Sequence, residues 1–185
     1  DVPYWVALDL YVPRAEVLTL GPGVTLKFDR NASLHVNGVL QALGSSTQPV
    51  TFTSLKDDSV LGDTNNDQQR SSPNAGDWGC VFFSDESDDT RCRLEWTHIR
   101  HGGRDGLDFS SRTGGVRLDN ASPLLSQITF TDNELNAVEI PEGDWRTDTW
   151  DNTGVVYFVT GDLSIPAGHT LRVAPGVVVK VLDSI

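Results

Sequence analysis

The sequence has no methionine, only two cysteines, and 14 lysines and arginines against 26 aspartates and glutamates. No run approaches the roughly 18 apolar residues that a membrane-spanning helix requires, which argues against membrane insertion. The few cations are not clustered, and the net charge is −12. Such a surface repels phosphate backbones and anionic headgroups, so nucleic acid and acidic membranes are poor partners. No stretch holds an i, i+3, i+4, i+7 apolar pattern long enough for a substantial helix. Methionine is missing even at position 1 and no charged-then-apolar leader follows, so residue 1 reads as a processing boundary. Two cysteines without a companion cysteine or suitably spaced histidine make a poor zinc site. In a secreted protein, Cys80 and Cys92 would form a disulfide closing the acidic stretch "SDESDDTR". Such a loop closure stabilises by about 3 kcal/mol on the chain-entropy model.

What is present instead is a succession of short apolar runs, rich in β-branched and aromatic residues. They are bounded by glycine, proline, asparagine or aspartate, as in "VTLKF", "SLHV", "VLQA", "VTFT" and "VYFV". Strands of this kind define an all-β chain. In "SLHVNGVLQALG", Leu34 and Val36 point one way and Ser33 and His35 the other. The Asn37 and Gly38 corner leads into another short run without pause, a rhythm that fits a coil turning one way better than a series of hairpins. "LEWTHI" at 94–99 lies over "LSQITF" at 125–130, both apolar or small at the first, fourth and sixth places. That slip in the inward period predicts a strand bent around a corner, and the echo predicts stacked rungs that bury each other's inner faces.

A longer echo frames the chain. Residues 4–28 lie over 157–181 without a gap, with ten of the twenty-five positions identical, among them Pro22/Pro175, Gly23/Gly176 and Lys27/Lys180. The whole chain, 1–185, reads as one domain. In it 155–185 either begins a second copy of the 1–28 region or caps the coil. Two polar excursions break the rhythm: 56–77, expected to project as a long inserted loop, and a smaller one at 101–115.

The stretch "LTLGPGVTLKFDRNASLHVNGVLQALGSSTQPVTFTS", followed by "GDWGCVFF", "RLEWTHIRHGG" and "NASPLLSQITFTDN", resembles right-handed parallel β-helix modules of bacterial secreted and cell-surface proteins. The resemblance covers nearly the whole chain. It departs from the family pattern at Cys80, where a second glycine is usual, and at His101, where tyrosine is frequent. It implies a single-stranded solenoid with one long inserted loop, secreted or displayed at a cell surface. Modules of this kind serve as adhesin stalks, glycan-binding surfaces and polysaccharide-degrading enzymes, so fold alone does not fix function.

Several constellations carry chemistry. Asp63, Asn65 and Asp67 alternate in "DTNND", with Asp57 and Asp58 nearby, a spacing by which a loop can wrap oxygen ligands around calcium. Gln68 and Asn74 stand where an EF-hand requires glycine and glutamate, so the loop is not an EF-hand; a solvated acidic loop is the competing reading. Asp85, Glu86, Asp88 and Asp89 read as a solvated corner. His98 and His101 fall on opposite faces of a strand and read as structural. Arg93, Arg100, Arg104, Arg112 and Arg117, beside Asp105 and Asp108, could line a lyase-like groove or form ordinary cross-rung pairs. Trp96, Trp145 and Trp150 are candidates for stacking on sugar rings, with burial of the latter two counting against it. The expectation is a non-enzymatic structural or adhesive module, possible calcium in the 56–77 loop, and partners among extracellular glycans, surface receptors or other copies of the module. A polysaccharide-binding or polysaccharide-cleaving module is the alternative.

Overall fold

The computed structural model describes residues 2–104, 112–146 and 148–182. Among them lie 18 short strands and no helix. The chain is all-β, and every strand pairing among the described residues is parallel. An isolated bridge between Arg104 and Arg112 is antiparallel. Parallel partners cannot be joined by a tight hairpin, so consecutive strands must go to different rows. In one row Tyr4 lies opposite Leu26, Leu26 opposite Phe52, Phe52 opposite Ile99, and Ile99 opposite Phe130. In a second, Leu34, Val81, Val116, Val138, Tyr157 and Val179 follow one another. A third pairs Leu18 with Leu40 and carries Ala42, Leu94 and Leu125 in line. Like side chains thus stack along each row, and Leu34, Val36, Leu40, Val81, Phe83, Leu94, Ile99, Val116 and Val138 are fully buried. Burial of each such side chain contributes about 1.5–3 kcal/mol.

The corners follow the sequence closely. Strand Arg93–Arg100 pairs through its first half with Val39–Leu43 and through its second with Val50–Ser54. Between the halves Trp96 takes φ 49, and Gln127 takes φ 54 at the matching place in Leu124–Thr131. Leu94, Thr97 and Ile99 all point inward, as the slipped period predicts. Asn37 and Gly38 make a corner, since Leu34–Val36 and Val39–Leu43 belong to different sheets. A Cβ at Gly38 would collide with the carbonyl oxygens of Pro13 and Glu16.

The 153-residue echo extends to register. Tyr4, Trp5 and Val6 pair with Leu26, Lys27 and Phe28; Tyr157, Phe158 and Val159 pair with Val179, Lys180 and Val181. The turns repeat too. Glu16 N donates to Pro13 O at 3.0 Å and His169 N to Pro166 O at 3.0 Å, with positive φ at Ala15 and Gly168. Val24 N donates to Gly21 O and Val177 N to Ala174 O, with positive φ at Gly23 and Gly176. Proline second and glycine third is the type II arrangement, which needs the left-handed residue in third place.

Two expectations are corrected here. The 56–77 segment does not project: it folds back over the outer face of the parallel sheet, where Lys27 holds the carbonyls of Asp57 and Gly62. Thr25–Phe28 and Val50–Ser54 are therefore buried on both sides. Cys80 and Cys92 form no disulfide, and both thiols are buried. Cys92 sits at the Gly38 corner, its Sγ 3.4 Å from Gly38 O and 3.5 Å from Leu40 N. Cys80 instead adjoins the outer side of Val81–Phe83, beside Ser33 and Phe82, so the stretch between them needs no covalent closure. Backbone bonds from Ser87 N to Ser84 O and from Cys92 N to Asp88 O hold it.

Candidate functional site

The returning loop is fastened by charge buried on the outer face of one row. Lys27, Thr53 and Arg100 project from neighbouring strands. Lys27 has no exposed surface, and its Nζ donates to Asp57 O at 2.9 Å and Gly62 O at 2.6 Å. Burial lowers its pKa, and the charges of Asp57, Asp58 and Asp63 partly offset that. The Asp57 carboxylate is also buried. It accepts from Thr53 Oγ1 at 2.6 Å and Ser59 Oγ at 2.5 Å, with Arg100 Nη1 at 3.3 Å and His101 Nε2 at 3.6 Å. Burial alone would raise its pKa, but His101, Ser59, Thr53 and Arg100 together hold it well below the usual carboxylate range. At the far end of the loop Lys56 Nζ and Ser54 Oγ both donate to Asp77 at 2.8 Å.

Above this anchor, one carboxylate oxygen from each of Asp58, Asp63 and Asp67 lies within 4.8 Å of the others. Burial and the repulsion of Asp63 and Asp67 raise the Asp58 pKa, and Asp58 Oδ1 is enclosed without a hydrogen-bond partner. Asp63 accepts from the backbone N–H groups of Asp67 and Gln68, and Asp67 from those of Arg70 and Ser71. Three of the five expected ligands therefore converge. Asp57 belongs to the anchor beneath, where Thr53, Ser59 and Arg100 take its oxygens. Asn65 bridges the cluster through its amide, with Nδ2 donating to Asp67 at 2.9 Å. Converging carboxylates with an unsatisfied oxygen form the kind of donor set a hard divalent cation takes.

The tryptophans separate. Trp145 and Trp150 are each 3% exposed, Trp150 stacks on Tyr157 at 4.8 Å, and Trp145 meets Trp150 edge-on. Neither offers a face to a sugar, so the expectation for this pair is corrected: they close the core where the strands become short. Trp96 remains 40% exposed because the bent corner turns it outward. It borders an open groove of about 330 Å³ with Ser45, His98, Gln127, Asn152 and Thr153. Gln127 and Asn152 were not singled out from sequence. The 31-residue echo places Gln127 beneath Trp96, whereas nothing local marks Asn152, which is held by its Nδ2 bond to Leu125 O.

The arginines do not gather into one groove. Arg93 pairs with Glu95, Arg100 with Asp57, Arg104 and Arg112 with Glu134, and Arg117 with Glu139. Asp105 and Asp108 lie outside the described residues. In the acidic corner, Asp85 binds Arg146 at 2.9 Å and Asn120 at 2.7 Å, and Asp89 accepts from Ser122 N at 2.7 Å. These carboxylates staple successive corners together, whereas Asp88 bonds locally to Thr90.

Comparison with known proteins gives a short likeness. A stretch of 54 residues, 29% of this chain, is 42% identical to the Drosophila melanogaster protein named Protein bark beetle, and spans 2% of that protein. No family model matches the chain, and no solved structure matches it.

Proposed function

We propose that the chain is a right-handed parallel β-helix segment of a secreted or cell-surface protein, serving as a rigid structural and adhesive column. The observation that carries this reading is the recurrence, at both ends of the chain, of one strand–turn–strand unit in one register. A unit that repeats its own pairing geometry extends a column. Handedness follows from the strong preference of parallel crossovers for the right-handed sense. An acidic surface of net charge −12 suits a solvated exterior. Calcium held by Asp58, Asp63 and Asp67 would rigidify the returning loop by relieving their repulsion. A second reading rests on Trp96: an exposed indole beside Gln127, Asn152 and Ser45 offers a stacking face and hydrogen-bonding partners to an extended glycan.

Incubation with neutral and acidic oligosaccharides separates the readings. A column gives neither cleavage nor binding. A glycan-binding module gives binding that Trp96→Ala abolishes, and product formation identifies a polysaccharide-cleaving enzyme instead.

A further inference from the structure

The two occurrences of the 25-residue unit have opposite surroundings. In the later one, Tyr157 and Val159 are each 5% exposed. They are covered because Val138, Glu139 and Ile140 pair with Tyr157, Phe158 and Val159, and Trp150 stacks on the Tyr157 ring at 4.8 Å and 5°. Gly143–Asp144 and Asp148–Trp150 cover the next two strands of the unit, Leu163–Ser164 and Leu171–Val173. In the earlier occurrence the same edge is bare. Tyr4 is 63%, Trp5 59% and Leu8 80% exposed, around an apolar groove of about 470 Å³ that continues to Leu10, Leu18 and Leu20. The register of the first strand pair and both turns agree between the two occurrences, and ten of the twenty-five side chains are identical. The difference that matters at the junction is Leu8, which stands where the later unit has Gly161; a Cβ at Gly161 would lie 2.6 Å from the Glu142 Cβ, so the covering corner at Glu142 must shift to seat Leu8.

From this we infer that the Tyr4 end of the stacked rows is a docking surface for residues 135–153 of a second copy of this unit placed ahead of it in the same chain. Residues 1–28 of the following copy take the place that 154–181 hold here. Tyr4 then stacks on the preceding Trp150, and Tyr4, Trp5 and Val6 pair with the preceding Val138, Glu139 and Ile140. Leu10 and Tyr11 pair with Gly143 and Asp144, and Leu18, Thr19 and Leu20 with Asp148, Thr149 and Trp150. Copies joined at a period of 153 residues form one uninterrupted column. The inference rests on the column reading above and adds to it the identity of the partner and the register of the junction.

The test compares amide hydrogen exchange in the full 1–185 chain with that in a tandem chain, residues 1–153 followed directly by 1–185. In the tandem chain the amides of Tyr4–Val6 and Leu10–Val12 of the second copy are expected to slow by about a hundredfold, toward the rates of Val156–Val159. Tyr4→Asp in the second copy should restore fast exchange there while Leu34–Val36 and Val81–Phe83 stay protected. Junction amides that exchange at single-chain rates over a protected core overturn the docking inference and leave the column reading intact. Loss of core protection in the tandem chain alone also overturns the inference. An unprotected core in the single chain removes both.

Discussion

Lys27 shows how one side chain depends on its surroundings. It lies in an apolar run at a position whose side chain points away from the core, where a lysine is ordinarily solvated. Here the loop covers it, and two backbone carbonyls replace water. Lys27→Met leaves those carbonyls unpaired and should cost about 1–3 kcal/mol in urea unfolding. Lys180, the matching residue 153 positions later, is exposed, and the same substitution there should change stability by no more than about 0.5 kcal/mol. Asp57 carries the larger effect. Asp57→Ala strips the partner from half-buried Arg100 and the acceptor from Thr53, with an expected loss of about 2–4 kcal/mol. Its pH dependence has a definite sign. The folded pKa lies below the unfolded value of 3.8, so the stabilisation is complete above 3.8 and is lost as pH falls below it. Unfolding midpoints of the parent and Asp57→Asn proteins should converge as the medium is acidified through that range.

At the scale of the element, the returning loop has two layers of opposite electrostatic character. In the lower layer the Asp57 carboxylate is paired with Arg100 and the Lys27 ammonium with two backbone carbonyls, so each charge is compensated. The upper layer, Asp58, Asp63 and Asp67, is not, and its repulsion is a standing cost that a divalent cation removes. Calcium at about 100 times its dissociation constant should therefore stabilise the protein by about 2.7 kcal/mol, seen as a rise in Tm that Asp63→Asn with Asp67→Asn eliminates. An unchanged Tm at saturating calcium would refute metal binding there. The corners are the other critical elements. Gly38→Ala forces a methyl into two carbonyl oxygens of the adjoining rung, and thermal unfolding should show a loss of about 1–3 kcal/mol.

Across the whole molecule, each strand is held by its parallel neighbours on either side, so stability should be greatest in the middle of each row and least at its ends. Hydrogen exchange should be slowest at Leu34–Val36, Val81–Phe83 and Gly114–Leu118. It should be fastest at Tyr4–Val6 and Val178–Val181, where Tyr4 and Val181 are 63% and 69% exposed. A uniform exchange rate along the chain would contradict a stack and indicate one cooperative globule.

The sequence by itself determined the class of secondary structure, the corners and the rows. Alternation in "SLHV", the slipped period of "LEWTHI" and the paired turns at Gly23 and Gly176 are local features, set by side-chain volume and backbone φ. Tertiary structure decided which polar and aromatic residues are reached by water. Trp145 and Trp150 lie in a polar stretch yet seal the core, because the strands there are too short to cover it with aliphatic residues. Cys80 and Cys92 are close in sequence, yet Cys92 packs at the Gly38 corner and Cys80 beside Ser33 and Phe82. Asp57 and Asp58 are adjacent in the chain yet serve different layers, because Thr53, Ser59 and Arg100 draw Asp57 inward while Asp58 meets Asp63 and Asp67. Burial and charge pairing arise between strands far apart in sequence, and no single run of residues encodes them.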